Sequence, residues 1–79
     1  MTSEIKVPFL GEGIDKVTVS LWHRKPGDKV VADEDIVEVE ADKAIFNIPS
    51  VSNGTLKKIL VSEGQEVAIG QCLAIIEDA

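Results

Sequence analysis

Few side chains in this sequence are equipped for chemistry. It holds one histidine, His23, and one cysteine, Cys72. One imidazole with no thiolate beside it falls short of the three or four ligands that zinc needs. A lone cysteine closes no internal disulfide, so Cys72 reads as small apolar filling in a strand. His23, in Leu21-Trp22-His23-Arg24-Lys25, reads as the exposed end of a strand, and Trp22 as core or a half-buried cover. The acidic residues Asp33, Glu34, Asp35, Glu38, Glu40 and Asp42 have the composition of a calcium ligand set. They lack the Asp-x-Asp-x-Asp-Gly spacing of a calcium loop and read as solvated surface. Gly11-Glu12-Gly13 is too short to cradle a nucleotide phosphate.

What remains is an amine. Lys43 sits in Glu40-Ala41-Asp42-Lys43-Ala44, between two stretches of alternating apolar and polar residues. Aspartate favours turns, because its side chain accepts a hydrogen bond from its own downstream backbone. The pattern predicts a tight hairpin with Lys43 at its tip. A catalytic lysine needs desolvation to lose its proton, and acidic neighbours favour the charged form instead. Lys43 is therefore a solvated turn lysine or a covalent attachment point, and not a catalyst.

The elements that would hold this turn can be read from an internal repeat. A shift of 37 residues places Thr18 on Thr55, Val19 on Leu56, Trp22 on Ile59, Gly27 on Gly64, Val30 on Val67, Ile36 on Leu73, Val39 on Ile76 and Glu40 on Glu77. A second echo, at 41 residues, sets Ile5-Lys6-Val7-Pro8 on Phe46-Asn47-Ile48-Pro49. The two offsets imply four extra residues in the first half, in the glycine-bearing loop from Phe9 to Lys16. Strands are expected at Glu4–Val7, Val17–His23, Asp28–Val31, Ile36–Glu40, Ile45–Ile48, Gly54–Val61, Glu66–Ile69 and Leu73–Glu77. Val37, Val39 and Ala41 then face inward and Glu38, Glu40 and Asp42 outward, with Ala44, Phe46 and Ile48 resuming the inward face. The whole chain, 1–79, forms one domain, with a first half at 4–41, a second half at 45–78 and the hairpin turn at 41–44. The expected architecture is all-β: a flattened barrel or sandwich of two four-stranded antiparallel sheets with pseudo-twofold symmetry, each half packing its apolar face on the other.

Composition agrees with that class and excludes others. Val, Ile and Thr favour pleated, half-buried surfaces, and glycines and prolines cut the chain into pieces too short for ordinary helices. The net charge of −6 opposes nucleic acid and anionic membranes. No apolar run approaches the ~18 residues of a membrane span. The N-terminus has no basic-then-apolar leader, and cysteine usage fits a reducing compartment. The expected location is the cytoplasm, or the mitochondrial matrix for a processed eukaryotic chain.

Several segments in order carry a resemblance over essentially the whole chain: Ile5-Lys6-Val7-Pro8 with Gly11-Glu12-Gly13, Lys25-Pro26-Gly27-Asp28, Glu40-Ala41-Asp42-Lys43-Ala44, Ile48-Pro49-Ser50, Gly54-Thr55-Leu56 and Glu63-Gly64-Gln65-Glu66-Val67. Together they resemble a lipoyl domain of the acyltransferase (E2) component of 2-oxo acid dehydrogenase complexes. The resemblance implies lipoic acid in amide linkage on Lys43, with Asp42 and Ala44 as turn flanks. It implies a role in decarboxylase recognition for Phe9, Leu10, Glu12 and Asp15 in the first loop. The implied domain is no enzyme by itself. Its implied partners are a lipoate-protein ligase or lipoyl transferase, the decarboxylase (E1) that acylates the arm, the E2 catalytic domain with coenzyme A, and the dihydrolipoamide dehydrogenase (E3) that reoxidises it. The isolated domain is expected to be a monomer. Biotin carriers resemble the same fold but place the lysine between two methionines, and the only methionine here is Met1. Leu21-Trp22-His23-Arg24-Lys25-Pro26-Gly27-Asp28 looks most like the 2-oxoglutarate, succinyl-transferring branch. Pyruvate and branched-chain complexes stay open, as does an unmodified interaction module of the same fold.

Overall fold

Alternation of buried and exposed residues governs every strand of the chain. The computed structural model describes all 79 residues and contains eight strands and no helix. They are β1 (Thr2–Lys6), β2 (Lys16–Trp22), β3 (Lys29–Val30), β4 (Asp35–Ala41), β5 (Ala44–Pro49), β6 (Gly54–Ile59), β7 (Glu66–Ala68) and β8 (Cys72–Asp78). Two antiparallel four-stranded sheets result, ordered β1-β8-β6-β3 and β5-β4-β2-β7. One apolar cluster lies between them, with Ile5, Val19, Ile36, Val39, Leu56, Leu73 and Ile76 fully buried. Pro49 closes an edge strand, where a missing ladder donor costs nothing.

The repeat holds at the level of register. Thr18 pairs with Glu40 and Thr55 with Glu77; Thr18 also pairs with Glu66, and Thr55 with Lys29. The register break after Val19 in β2 recurs after Leu56 in β6. Two expectations need correction. The halves do not form one sheet each, because each sheet takes two strands from each half. Swapped strands let each half bury an apolar face that it cannot cover alone. The echo between the first strands is also offset by 43 residues rather than 41, since Glu4 faces Ile75 as Asn47 faces Glu38. The first half therefore carries six extra residues, not four. A slip of two residues keeps every side chain on its face, so alternation alone could not separate the two offsets.

Two features tie the end of the molecule where the chain termini meet. Ser3 Oγ and Ser52 Oγ each donate to Asp78 Oδ1 at 2.8 Å. The Ser3 bond first, then the Ser52 bond, holds the Asp78 carboxyl below its ordinary range. A carboxylate depressed in the folded state stabilises fully above its unfolded pKa of about 3.9, and that contribution is lost as pH falls through the lower folded value. The urea midpoint of the native chain is expected to drop more steeply between about pH 5 and pH 2.5 than that of Asp78→Asn. Parallel pH profiles would remove this group from the acid response.

Gly54 marks the second feature. A Cβ there would collide with the backbone carbonyl of Glu77 on β8. The clash is with a central strand, so no side chain can swing aside. Gly54→Ala is expected to cost about 1–3 kcal/mol, the range of overpacking in a filled interior. The check is the denaturant midpoint at unchanged m-value; an unshifted midpoint would show that β6 and β8 can separate freely.

Candidate functional site

Asp42 and Lys43 are the two residues that connect β4 to β5, with Ala41 paired to Ala44 across the turn. Asp42 adopts a positive φ of 53°. Aspartate is among the few residues beside glycine that accept this left-handed backbone, so it can supply the sharp reversal of a two-residue hairpin. Ala41 is buried and anchors the turn to the core, while Asp42, Lys43 and Ala44 are exposed. Burial on β5 fades toward the tip: Ile48 is buried, Phe46 half-buried and Ala44 exposed. Ala44 thus departs from the expected inward face, because the hairpin there runs beyond the packed interface.

Three ion pairs occur in the molecule: Lys6 with Glu4, Lys16 with Glu66 and Arg24 with Glu34. Lys43 takes part in none. Its exposed amine is free to meet an incoming reagent.

The first loop reaches the same end of the molecule. β2 begins at Lys16 and runs antiparallel to β4, with Thr18 opposite Glu40. Two residues back along β2 and two forward along β4 therefore bring Lys16 and Asp42 to the same end of the sheet. The loop is fastened at both ends. Val7 N donates to Gln71 O at 3.0 Å and Gly70 N to Val7 O at 2.8 Å, while Ile69 N donates to Asp15 O at 3.0 Å. Phe9 is 74% exposed, and Glu12 and Asp15 are exposed. Leu10 differs: it is half-buried and packs with Ile14 on the core. It holds the loop down and does not present a contact surface of the same kind.

Ile45 was not singled out from the sequence. It is 61% exposed on the outer face beside the turn, in a row that continues through Glu40 and Thr18 to Glu66. The signal was present, since Ile45 falls on the outward phase of its strand. The other candidates stay quiet. His23 is exposed, with its ring Nε2 3.0 Å from Asn47 Oδ1. The Trp22 indole N–H donates to Val61 O at 3.2 Å as a half-buried cover. Burial, then a hydrogen bond with Glu4, pushes the Cys72 thiol up and away from reactive thiolate.

Comparison with known proteins follows the same geometry. The family model for biotin/lipoyl domains, described as "Biotin-requiring enzyme", matches residues 3–76. The chain is 43% identical over 79 residues to the dihydrolipoyllysine-residue succinyltransferase component of the Haemophilus influenzae 2-oxoglutarate dehydrogenase complex. It is 40% identical over 80 residues to the acetyltransferase component of the Zymomonas mobilis pyruvate dehydrogenase complex. It covers 100% of itself but only 19% and 18% of these two proteins, so it spans about a fifth of the length of the curated relatives it matches. Among solved structures, the lipoyl domain of the Escherichia coli dihydrolipoyl succinyltransferase superposes with a TM-score of 0.80 at 39% identity, covering 100% of this chain and 99% of that one.

Proposed function

The chain belongs to the biotin/lipoyl domain family and is a lipoyl domain, and we propose that Lys43 carries lipoic acid for a 2-oxoglutarate dehydrogenase complex. The observation that carries the reading is the placement of Lys43: an exposed primary amine, bound by no ion pair, on a two-residue hairpin whose base is anchored by buried Ala41. Bound lipoic acid supplies a dithiolane able to accept an acyl group with its own reduction and to pass that group to a thiol.

The protein's part is placement. Lys43 Nζ provides the amide nitrogen, and amide formation removes its charge. The left-handed Asp42 turns the chain so that the lysine leaves the sheet at its tip. The paired strands β4 and β5 keep the tip away from the body, and tethering raises the local concentration of the arm at each centre it visits. A carrier of this kind performs no catalysis itself; the cofactor holds the chemistry and the protein supplies orientation. The partners that follow are a lipoate-protein ligase or lipoyl transferase, the E1 decarboxylase, the E2 catalytic domain with coenzyme A, and the E3 dehydrogenase.

The 2-oxoglutarate branch is supported by the succinyltransferase relatives, and the pyruvate branch by a relative of nearly equal identity. Reductive acylation separates them. The lipoylated domain, offered to a 2-oxoglutarate decarboxylase and to a pyruvate decarboxylase with their own oxo acids, is expected to gain succinyl at least roughly tenfold faster than acetyl, a preference of about 1.4 kcal/mol. Equal or inverted rates would assign the domain to another branch.

A further inference from the structure

Asn53-Gly54 is a pair of residues whose chemistry the carrier reading does not use. An asparagine before a glycine holds its side-chain amide close to a backbone nitrogen that no Cβ shields. Once it loses its proton, that nitrogen can attack the side-chain carbonyl carbon and close a five-membered ring. Asn47, the only other asparagine, precedes Ile48, whose branched Cβ covers the corresponding nitrogen.

The structure favours attack at Asn53 Cγ. The residue is exposed, and its Oδ1 accepts from the Ala32 backbone N–H at 2.8 Å. A donor on that oxygen steadies the negative charge that gathers there as Cγ is attacked. The bond leaves Nδ2, the group that must depart, uncommitted.

The backbone holds the reaction back. Asn53 O accepts from Ala79 N–H at 3.0 Å, and Gly54 pairs with Val30 on β3 and with Asp78 on β8. Ring closure needs Gly54 to lift off these strands. The opening is local, because β3 is only two residues long and Asp78 is the last residue of β8. Short edge strands and strand ends open at a fraction of the global unfolding cost. Asp78 resists the opening, since its Oδ1 ties Ser3 on β1 to Ser52 beside Asn53.

We propose that Asn53 is a site of spontaneous deamidation, which ages the end of the domain away from the lipoyl hairpin. β5 leads from that hairpin for six residues before the chain reaches Asn53. Gly54 N gives its proton to solvent base and bonds to Asn53 Cγ, while Nδ2 takes up a proton and leaves as ammonia. Water then opens the cyclic imide. Cleavage of the new bond from Gly54 N to Cγ gives aspartate. Cleavage of the original bond from Gly54 N to the Asn53 carbonyl carbon gives isoaspartate, with the main chain rerouted through Cγ. The sum is amide plus water to carboxylic acid plus ammonia, with no change of oxidation state. Both products add a carboxylate at the end that already holds Asp78. Isoaspartate also lengthens the backbone by one carbon immediately before Gly54, where even a Cβ would meet the Glu77 carbonyl. The proposal uses none of the residues of the lipoyl hairpin and stands whether or not Lys43 is modified.

The test is incubation of the unmutated domain in mildly alkaline buffer, with peptide mapping and chromatographic separation of aspartyl and isoaspartyl fragments. Conversion is expected at Asn53 at least roughly tenfold faster than at Asn47, where the next residue is β-branched. It should quicken with pH, because the attacking nitrogen must lose its proton. Asp78→Ala lies far away in sequence and leaves the Asn-Gly pair intact. It should raise the rate several-fold by freeing the end, and Ser3→Ala, which removes one of the two ties, should raise it less. Amide NMR dispersion confirms the fold of both variants. Isolated isoaspartyl chains should unfold at lower urea than Asn53→Asp, which adds the charge on an unaltered backbone. Comparable rates at the two asparagines, a native rate in both variants, or isoaspartyl chains as stable as Asn53→Asp would each overturn the proposal.

Discussion

Lys43→Arg is expected to abolish lipoylation completely while leaving the fold unchanged. Amide formation needs a primary amine that can shed its proton at the moment of attack. Guanidinium stays protonated up to about pH 12 and offers no such nitrogen. The structural cost is small, because Lys43 is exposed and makes no ion pair. An exposed substitution of this kind shifts stability by only about 0.5 kcal/mol either way. A companion variant separates position from presence: Lys43→Ala with Ala44→Lys keeps one lysine at the tip but moves it one residue along β5. A one-residue move turns a side chain toward the other face of a strand. Modification should fall sharply there too, read by intact mass after identical exposure to ligase and lipoate. Full modification of Lys43→Arg would place the site on another amine.

The second large effect concerns the decarboxylase. Free lipoamide is expected to be reductively acylated at least about a hundredfold less efficiently than the lipoylated domain, the scale on which lost positioning slows a reaction. Binding energy remote from the dithiolane can orient it, and a free small molecule has none to contribute. The first loop is the expected source, since the pseudo-symmetric second half does without its six extra residues. Removing the loop would be a poor test, because Leu10 and Ile14 pack on the core. The variant of choice is Phe9→Ala with Glu12→Gln and Asp15→Asn, all exposed. It should lower the acylation rate toward that of lipoamide with lipoylation and unfolding midpoint unaltered. An unchanged rate would move recognition to the outer row of Ile45, Glu40, Thr18 and Glu66.

Much of this fold is legible in the residue pattern alone. Alternation and the 37-residue echo located all eight strands to within one or two residues. They also foretold the hairpin at Lys43, because the spacing of turn glycines and inward valines is local information. What escaped was non-local. Which strands share a sheet depends on pairing between halves, and alternation is blind to it. The 41-residue echo aligned Pro8 with Pro49, yet Pro49 ends a paired strand opposite Asp35 and Pro8 lies outside one. Leu10 reads as an exposed loop residue in the sequence because nothing in its neighbours reveals the core it packs against. The role of Lys43 was never in its spacing, which suits an ordinary solvated turn equally well; the resemblance of the whole chain supplied it.

The most direct measurement is peptide mapping by mass spectrometry of the unmutated domain after exposure to lipoate-protein ligase, lipoate and ATP. One lipoyl-sized increment per chain is expected, confined to the fragment containing Glu40-Ala41-Asp42-Lys43-Ala44 and assigned to Lys43 by fragmentation. An unmodified chain, or an increment on any other lysine, would contradict the carrier assignment at its centre.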